Sequence, residues 1–258
     1  LLHAVAVVKA GVFTVLKVVI YVFGIDTLTA TGASDWLVAV AAASLIIASV
    51  VALTRDNLKA RLAYSTVSQL AYVVLAAGLA SSAAIIGGGL QIAMHAAGKI
   101  TLFFCAGAIM VAAHKTEVSE LDGIGRRMPF TMLAFLLGSL SIIGLPPLGG
   151  TWSKWWLAIG ALDAGHAWVV AVLMISSLLS VAYLLPIVAR AFFLPPPGAQ
   201  ANEKIAIAEA PIACVIALCI TAAACVALFF FAGDIEALLA QIDFAPQPIE
   251  VPGAPNGS

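Results

Sequence analysis

Charge is scarce in this sequence. Only 10% of its 258 residues are Asp, Glu, Lys or Arg, and the net charge is −1. A soluble domain carries about 25% charged residues. There is no basic cluster and no interleaving of basic and aromatic residues, so the chain lacks the electrostatic footprint of a nucleic-acid binder. Cysteine is sparse too. Cys105, Cys214, Cys219 and Cys225 all lie in apolar runs without CxxC spacing. They read as small buried hydrophobes, neither disulfide partners nor metal ligands. No Gly-rich phosphate loop, nucleotide fingerprint, metal-spaced Cys/His set or nucleophile–base pattern occurs. Hydrolytic and redox chemistry carried by this chain is therefore not expected, and neither is a cofactor or a metal.

What is abundant is apolar sequence: 63% hydrophobic residues and a mean hydropathy of +1.11. That is the composition of an all-α polytopic membrane protein. About seven segments are long enough to cross a bilayer: 1–24, 36–53, 62–79, 88–113, 129–162, 168–193 and 205–232. The chain opens at Leu1 inside an apolar segment with no methionine, as a portion of a longer protein would. Gly24 to Asp35 and Ala80 to Ala84 read as turns, and 194–204 as a Pro-rich loop. The polar tail 234–258 is expected to be disordered. Lys and Arg sit in the connectors at 55–61, 115–127 and 190–204, and are missing from those at 25–35, 80–84 and 163–167. Seven crossings put these two sets on opposite sides. By the positive-inside rule the basic set is cytoplasmic and the tail is outside, in a bacterial cell membrane.

The segment around Gly88 to Ala112 carries His95 and Lys99, four apart and so on one helix face. A lysine at mid-bilayer costs about 2.5–3.5 kcal/mol on insertion scales, so that face must look into protein or a wet cavity. Segment 129–162 is too long for one straight crossing. Its Pro146, Pro147, Gly149 and Gly150 interrupt the helix at 144–151. Unwound backbone at membrane depth lines cavities or is buried in protein. Lys154 follows the break among Trp152, Trp155 and Trp156. It is either a site residue or a snorkelling member of an interfacial aromatic belt. Lys9 lies well inside the first segment, with His3 nearby. Lys17 is closer to the turn and better placed to snorkel. Ser65, Thr66, Ser68 and Gln69 can pack between helices or line water. Glu209 reads as a charge at the start of the last helix, favoured by its dipole. Burial disfavours the charged form of a lysine. A row of buried lysines linked by His, Ser, Thr and water can therefore take up and release protons in turn.

Five stretches, LLHAVAVVKAGVF, DNLKARLAYSTVSQLAY, MHAAGKITLFFCAGAI, ELDGIGRRMP and IIGLPPLGGTWSKWW, together resemble the antiporter-like subunit family. That family comprises the large membrane-arm subunits of respiratory complex I and the paired large subunits of Mrp-type monovalent cation/proton antiporters. The wording GLPPLGGTWSKWW is most similar to the Mrp D subunit. The resemblance implies fourteen helices in two inverted five-helix repeats, each with one broken helix. On that view 1–24 is the last helix of the first repeat and 25–193 is the second repeat. Residues 194–233 are then a loop and the terminal helix.

The resemblance also implies a proton relay. Lys9 bridges two half-channels, Lys99 with His95 is the central group of the second, and Lys154 is its terminal exchange residue. From the residues alone, His3, Ser65, Thr66, Ser68 and Lys17 are candidate accessory polar groups. The paired glutamate and lysine of the first half-channel would lie upstream. The implied partners are homologous antiporter-like subunits, small membrane subunits, lipid, protons and Na⁺ or K⁺. The implied function is cation/proton antiport. The alternatives are a pumping subunit of an NADH:quinone oxidoreductase, not itself catalytic, and a structural subunit without transport.

Overall fold

The computed structural model describes residues 7–195 and 206–241. Within them the chain is mainly helical, its helices joined by turns and short irregular connectors, with one isolated bridge between Asn57 and Glu117. The helices are α1 (Val8–Val18, extended by a π-turn to Phe23), α2 (Ile25–Thr31), α3 (Asp35–Thr54), α4 (Leu58–Leu79) and α5 (Ser82–Ala113). They continue with α6 (Ile124–Arg127), α7 (Pro129–Ile143), α8 (Gly150–Asp163), α9 (Ala167–Phe193), α10 (Ile212–Phe230) and α11 (Ala232–Leu239).

Five of these, α3, α4, α5, α9 and α10, are each long and apolar enough to cross a membrane. Val8–Phe23 with α2 makes a sixth candidate, bent by 81° at Gly24. The seventh expected crossing is the interrupted pair α7 and α8, each half of which is short. The all-helical, polytopic expectation holds, and so does the interruption, which occupies 144–149.

Several boundaries differ from the sequence reading. Gly24 to Asp35 is not an open turn. Gly24 takes φ +77°, and α2 follows it directly. The second turn is tighter than 80–84. Ala80 ends α4 in the left-handed region, and the Ser81 hydroxyl accepts the Ala84 N–H to start α5. That cap makes α5 32 residues long. The last crossing starts at Ile212, where Pro211 supplies the entry, so 206–210 is not helical. The tail expected to be disordered from 234 is instead helical to Leu239 in α11, and the rest of that expectation, 242–258, lies outside the described residues. Cys105 and Cys225 are buried as expected, but Cys214 and Cys219 are exposed on α10.

Helix α5 is the hub, packed against α4, α7, α8 and α10. Small residues let the helices approach closely, as membrane packing requires where lipid gives no hydrophobic drive. A Cβ on Gly87 of α5 would lie 2.8 Å from the Leu157 nitrogen of α8.

The connectors gather into two sets, as the charge pattern anticipates. At one end, the Asp56 carboxylate accepts the Ser119 N–H (3.0 Å) and the Ser119 hydroxyl (2.6 Å). Arg190 donates to both Asp122 oxygens at 2.8 and 3.1 Å, and to the Ser119 carbonyl. At the other end, Thr29 meets the Ala80 carbonyl and His166 stands 3.4 Å from Asp35.

Glu209 does not serve its own helix. Its carboxylate accepts the N–H groups of Phe130 and Thr131 (2.8 and 3.3 Å) and the Thr131 hydroxyl. These are free donors of the first turn of α7, so Glu209 caps a distant helix. Glu209→Ala is expected to cost about 1–2 kcal/mol, read as a lower melting temperature in detergent.

The Ser119 hydroxyl, more than any other group, holds the Asp56 carboxyl below its ordinary 3.8, against the opposing effect of burial and with help from the Ser119 N–H, Arg61 and Arg190. A depressed acid stabilises the fold above its unfolded pKa and loses that contribution as pH falls through the folded one. Wild type is thus expected to melt above Asp56→Asn near neutral pH. The gap should close below about pH 4, as thermal melts across that range will read.

Candidate functional site

Lys99 is central. It is fully buried on α5, with His95 one turn and Gln91 two turns earlier on the same face. No carboxylate pairs with it among the described residues. Its ammonium donates to the Leu62 carbonyl (3.1 Å) and the Ser65 hydroxyl (2.6 Å) of α4. The inward face of α4 carries Leu62, Ser65, Gln69 and Tyr72, spaced by three or four residues as one helix face requires. From Ser65 the bonding continues to α9. Ser65 Oγ lies 2.9 Å from the Tyr183 hydroxyl, which lies 3.0 Å from Ser180 Oγ.

Lys154 is placed by the break. Gly144 ends α7 with φ +87°, a region that disfavours every side chain. The turn leaves the last carbonyls of α7 free, at the negative end of the helix dipole. Lys154 reaches back from α8 to take one of them, donating to the Ile143 carbonyl at 2.6 Å and to Ser177 of α9 at 2.9 Å. Its ammonium also lies 5.3 Å from the Tyr72 ring centroid, within cation–π range. Lys154 is therefore turned inward, not snorkelling. Of the tryptophans around it, Trp155 is exposed, while the indole N–H groups of Trp152 and Trp156 donate to the Phe229 carbonyl and to Glu236. The unwound backbone is itself secured, since Gly149 N–H donates to the Cys225 carbonyl of α10.

The remaining residues singled out from sequence divide. Lys9 is 7% exposed, and its ammonium has no partner among the described residues. His95 is 2% exposed with both ring nitrogens unpartnered. Lys17 is exposed over the Phe13 and Tyr21 rings. Ser65 joins the lysine directly. Thr66 bonds back to the Leu62 carbonyl of its own helix, and Ser68 bonds to Ser49 and the Leu45 carbonyl, tying α4 to α3. His3 lies outside the described residues.

Sequence reasoning passed over Gln91, Tyr72, Ser177, Ser180 and Tyr183. Gln91 donates to Gln69 (2.9 Å) and accepts from Ser153 (2.6 Å), fastening α4, α5 and α8 beside Lys154. Their signal was available in part: Ser176, Ser180 and Tyr183 recur at helical spacing in an otherwise apolar run. Eight buried polar atoms lack a partner among the described residues. They are Lys9 Nζ, both His95 nitrogens, Gln69 Nε2, Tyr72 Oη and the hydroxyls of Ser139, Ser141 and Ser176. Buried polar groups are normally satisfied by protein or ordered water. They lie on α1, α4, α5, α7 and α9.

Residues 1–180 match the family model described as NADH:quinone oxidoreductase/Mrp antiporter, TM. NADH-quinone oxidoreductase subunit N of Desulforudis audaxviator is 42% identical over 168 residues, covering 64% of this chain and 33% of the relative. F(420)H(2) dehydrogenase subunit N of Methanosarcina mazei is 29% identical over 185 residues, covering 67% and 37%. Among solved structures, the Mrp complex of a Dietzia species matches with a TM-score of 0.73 at 21% identity, over 92% of this chain and 52% of that one. The membrane-bound sulfane sulfur reductase, an archaeal respiratory membrane complex, matches at 0.72 and 24% identity, over 81% and 42%. At these identities the structural likeness is one of fold. The chain spans about a third of the length of these two curated relatives.

Proposed function

Because the chain belongs to the NADH:quinone oxidoreductase/Mrp antiporter transmembrane family, we propose that it forms part of a proton-translocating subunit of a multi-subunit membrane complex. Protons move stepwise between Lys9, Lys99 with His95, and Lys154, along a hydrated axis between α4, α5 and α9. The observation that carries this reading is Lys99. It is a fully buried ammonium with no acid beside it among the described residues, held by a carbonyl and a hydroxyl. Intramembrane ionisable groups are costly, and a purely structural lysine would be paired. Residues 25–193 then act as one repeat, with 1–24 contributing Lys9 from its neighbour. The basic connectors face the cytoplasm, and homologous antiporter-like subunits pack alongside.

Two driving forces fit. In the Mrp form, proton entry drives Na⁺ or K⁺ export, as the wording of 144–156 favours. In the redox form, remote quinone reduction drives pumping, and the 42% identity to an NADH-quinone oxidoreductase subunit supports it. Everted vesicles holding the full-length subunit in its native complex, with a pH-sensitive dye, separate them. Collapse of a preformed gradient by NaCl or KCl, lost in Lys99→Met, supports antiport. A gradient built by NADH, lost in Lys99→Met, supports the redox form. Wild-type behaviour of Lys99→Met in both assays sinks the relay.

A further inference from the structure

Building on that relay, the geometry points to the Tyr183 hydroxyl of α9 as the junction through which Lys99 delivers its proton toward Lys154. Lys99, Ser65, Tyr183 and Ser180 follow one another at 2.6, 2.9 and 3.0 Å. Ser65, Tyr183 and Ser180 are all fully buried, so bulk water does not compete for these bonds. The same helix carries Ser177, which takes the Lys154 ammonium at 2.9 Å. Both cations are thus tied to one row of hydroxyls on α9. Ser180 and Ser177 stand three apart, about one helical turn. Nearby, Ser176 Oγ and Tyr72 Oη are buried and have no hydrogen-bond partner among the described residues.

A purely structural tyrosine would need one partner for its hydroxyl. Tyr183 has two, one on each side, and a phenol can accept from one while donating to the other. Its position is held independently of the hydroxyl, because Arg61 of α4 donates to the Tyr183 backbone carbonyl at 3.3 Å.

The transfer balances. An N–H bond of protonated Lys99 breaks and an O–H bond forms at Ser65. Ser65 gives its original hydrogen to Tyr183, and Tyr183 gives its own to Ser180. Ser180 passes its hydrogen to a water molecule that bridges to Ser177, and Ser177 protonates neutral Lys154. Each hydroxyl and the water end with the same number of hydrogens they began with. Lys99 is left neutral, Lys154 is cationic, and nothing is oxidised or reduced. The hydroxyls then rotate back before the next proton.

The experiment uses the same vesicles, driven by NADH or by NaCl and KCl. Tyr183→Phe keeps the ring and removes only the junction oxygen. Proton movement is expected to fall about tenfold or more, with complex assembly and melting temperature unchanged. Ser65→Ala should lose as much. Tyr183→Phe with Ser65→Ala should lose no more than either alone, since both cut one path; independent packing defects would multiply. Tyr183→Phe within about twofold of wild type, while Lys99→Met is inactive, overturns the junction and leaves the lysine relay standing. So does a double variant that falls by the product of the singles. Retained activity in Lys99→Met overturns both.

Discussion

Exchanging Lys99 for methionine is expected to abolish proton movement and, at the same time, to make the protein more stable. The loss of movement should be about a hundredfold or more, the scale of removing a positioned proton-transfer group. The gain in stability follows from what Lys99 leaves behind. Methionine follows the same unbranched stem and fills irregular space. The Leu62 carbonyl keeps the Thr66 hydroxyl, and Ser65 keeps Tyr183. No buried group is orphaned, while an unpaired buried cation is removed. Replacing buried charge by apolar side chains often stabilises by about 1–4 kcal/mol. The check is paired: dye-monitored flux in vesicles and thermal melting of the purified complex. A variant that melts lower and still moves protons would make Lys99 a structural residue.

The second large effect is expected at the break. Gly144→Ala should lower stability by about 1–3 kcal/mol, since its φ of +87° is a strained conformation for alanine. It should also cut flux sharply. The new Cβ would stand 2.8 Å from Lys154 Cδ and 3.2 Å from the Gly150 carbonyl. The lysine stem must shift, drawing the ammonium from Ile143 and Ser177. A displacement of about 1 Å can cost a hundredfold in a positioned site. Gly165→Ala is the control. Its φ is +76°, but nothing lies within 4 Å of the added carbon. It should lose stability and keep flux. Equal flux loss in both variants would trace the effect to backbone strain, not to Lys154.

Both predictions rest on residues visible in the sequence alone, but their partners were not. Lys99 stands out because charge is rare and its segment is long enough to cross a bilayer. The bond from Ser65 to Tyr183 joins positions 118 apart, and no periodicity in either helix announces it. A tyrosine in an apolar segment reads as an interfacial residue until a facing helix shows otherwise. Glu209 was misread for a related reason. Proximity to its own helix made the local dipole the natural explanation, whereas the chain folds it onto α7. Helix α2 was hidden because its Asp26, Thr27, Thr29 and Thr31 are turn-like in composition, and the bend at Gly24 is what allows a helix to follow directly.

By itself the sequence determined the helical, polytopic class, an interruption within 144–151 and the short roster of cations in apolar segments. These follow from bilayer thickness, the obligation to satisfy backbone groups, and the helix-breaking chemistry of proline and glycine. Only the tertiary structure decided which way Lys154 points, which hydroxyls meet Lys99, and that one face of α9 serves both lysines. Those outcomes depend on how helices far apart in the chain rotate and pack, and a hydrogen bond near 3 Å is decided by that rotation.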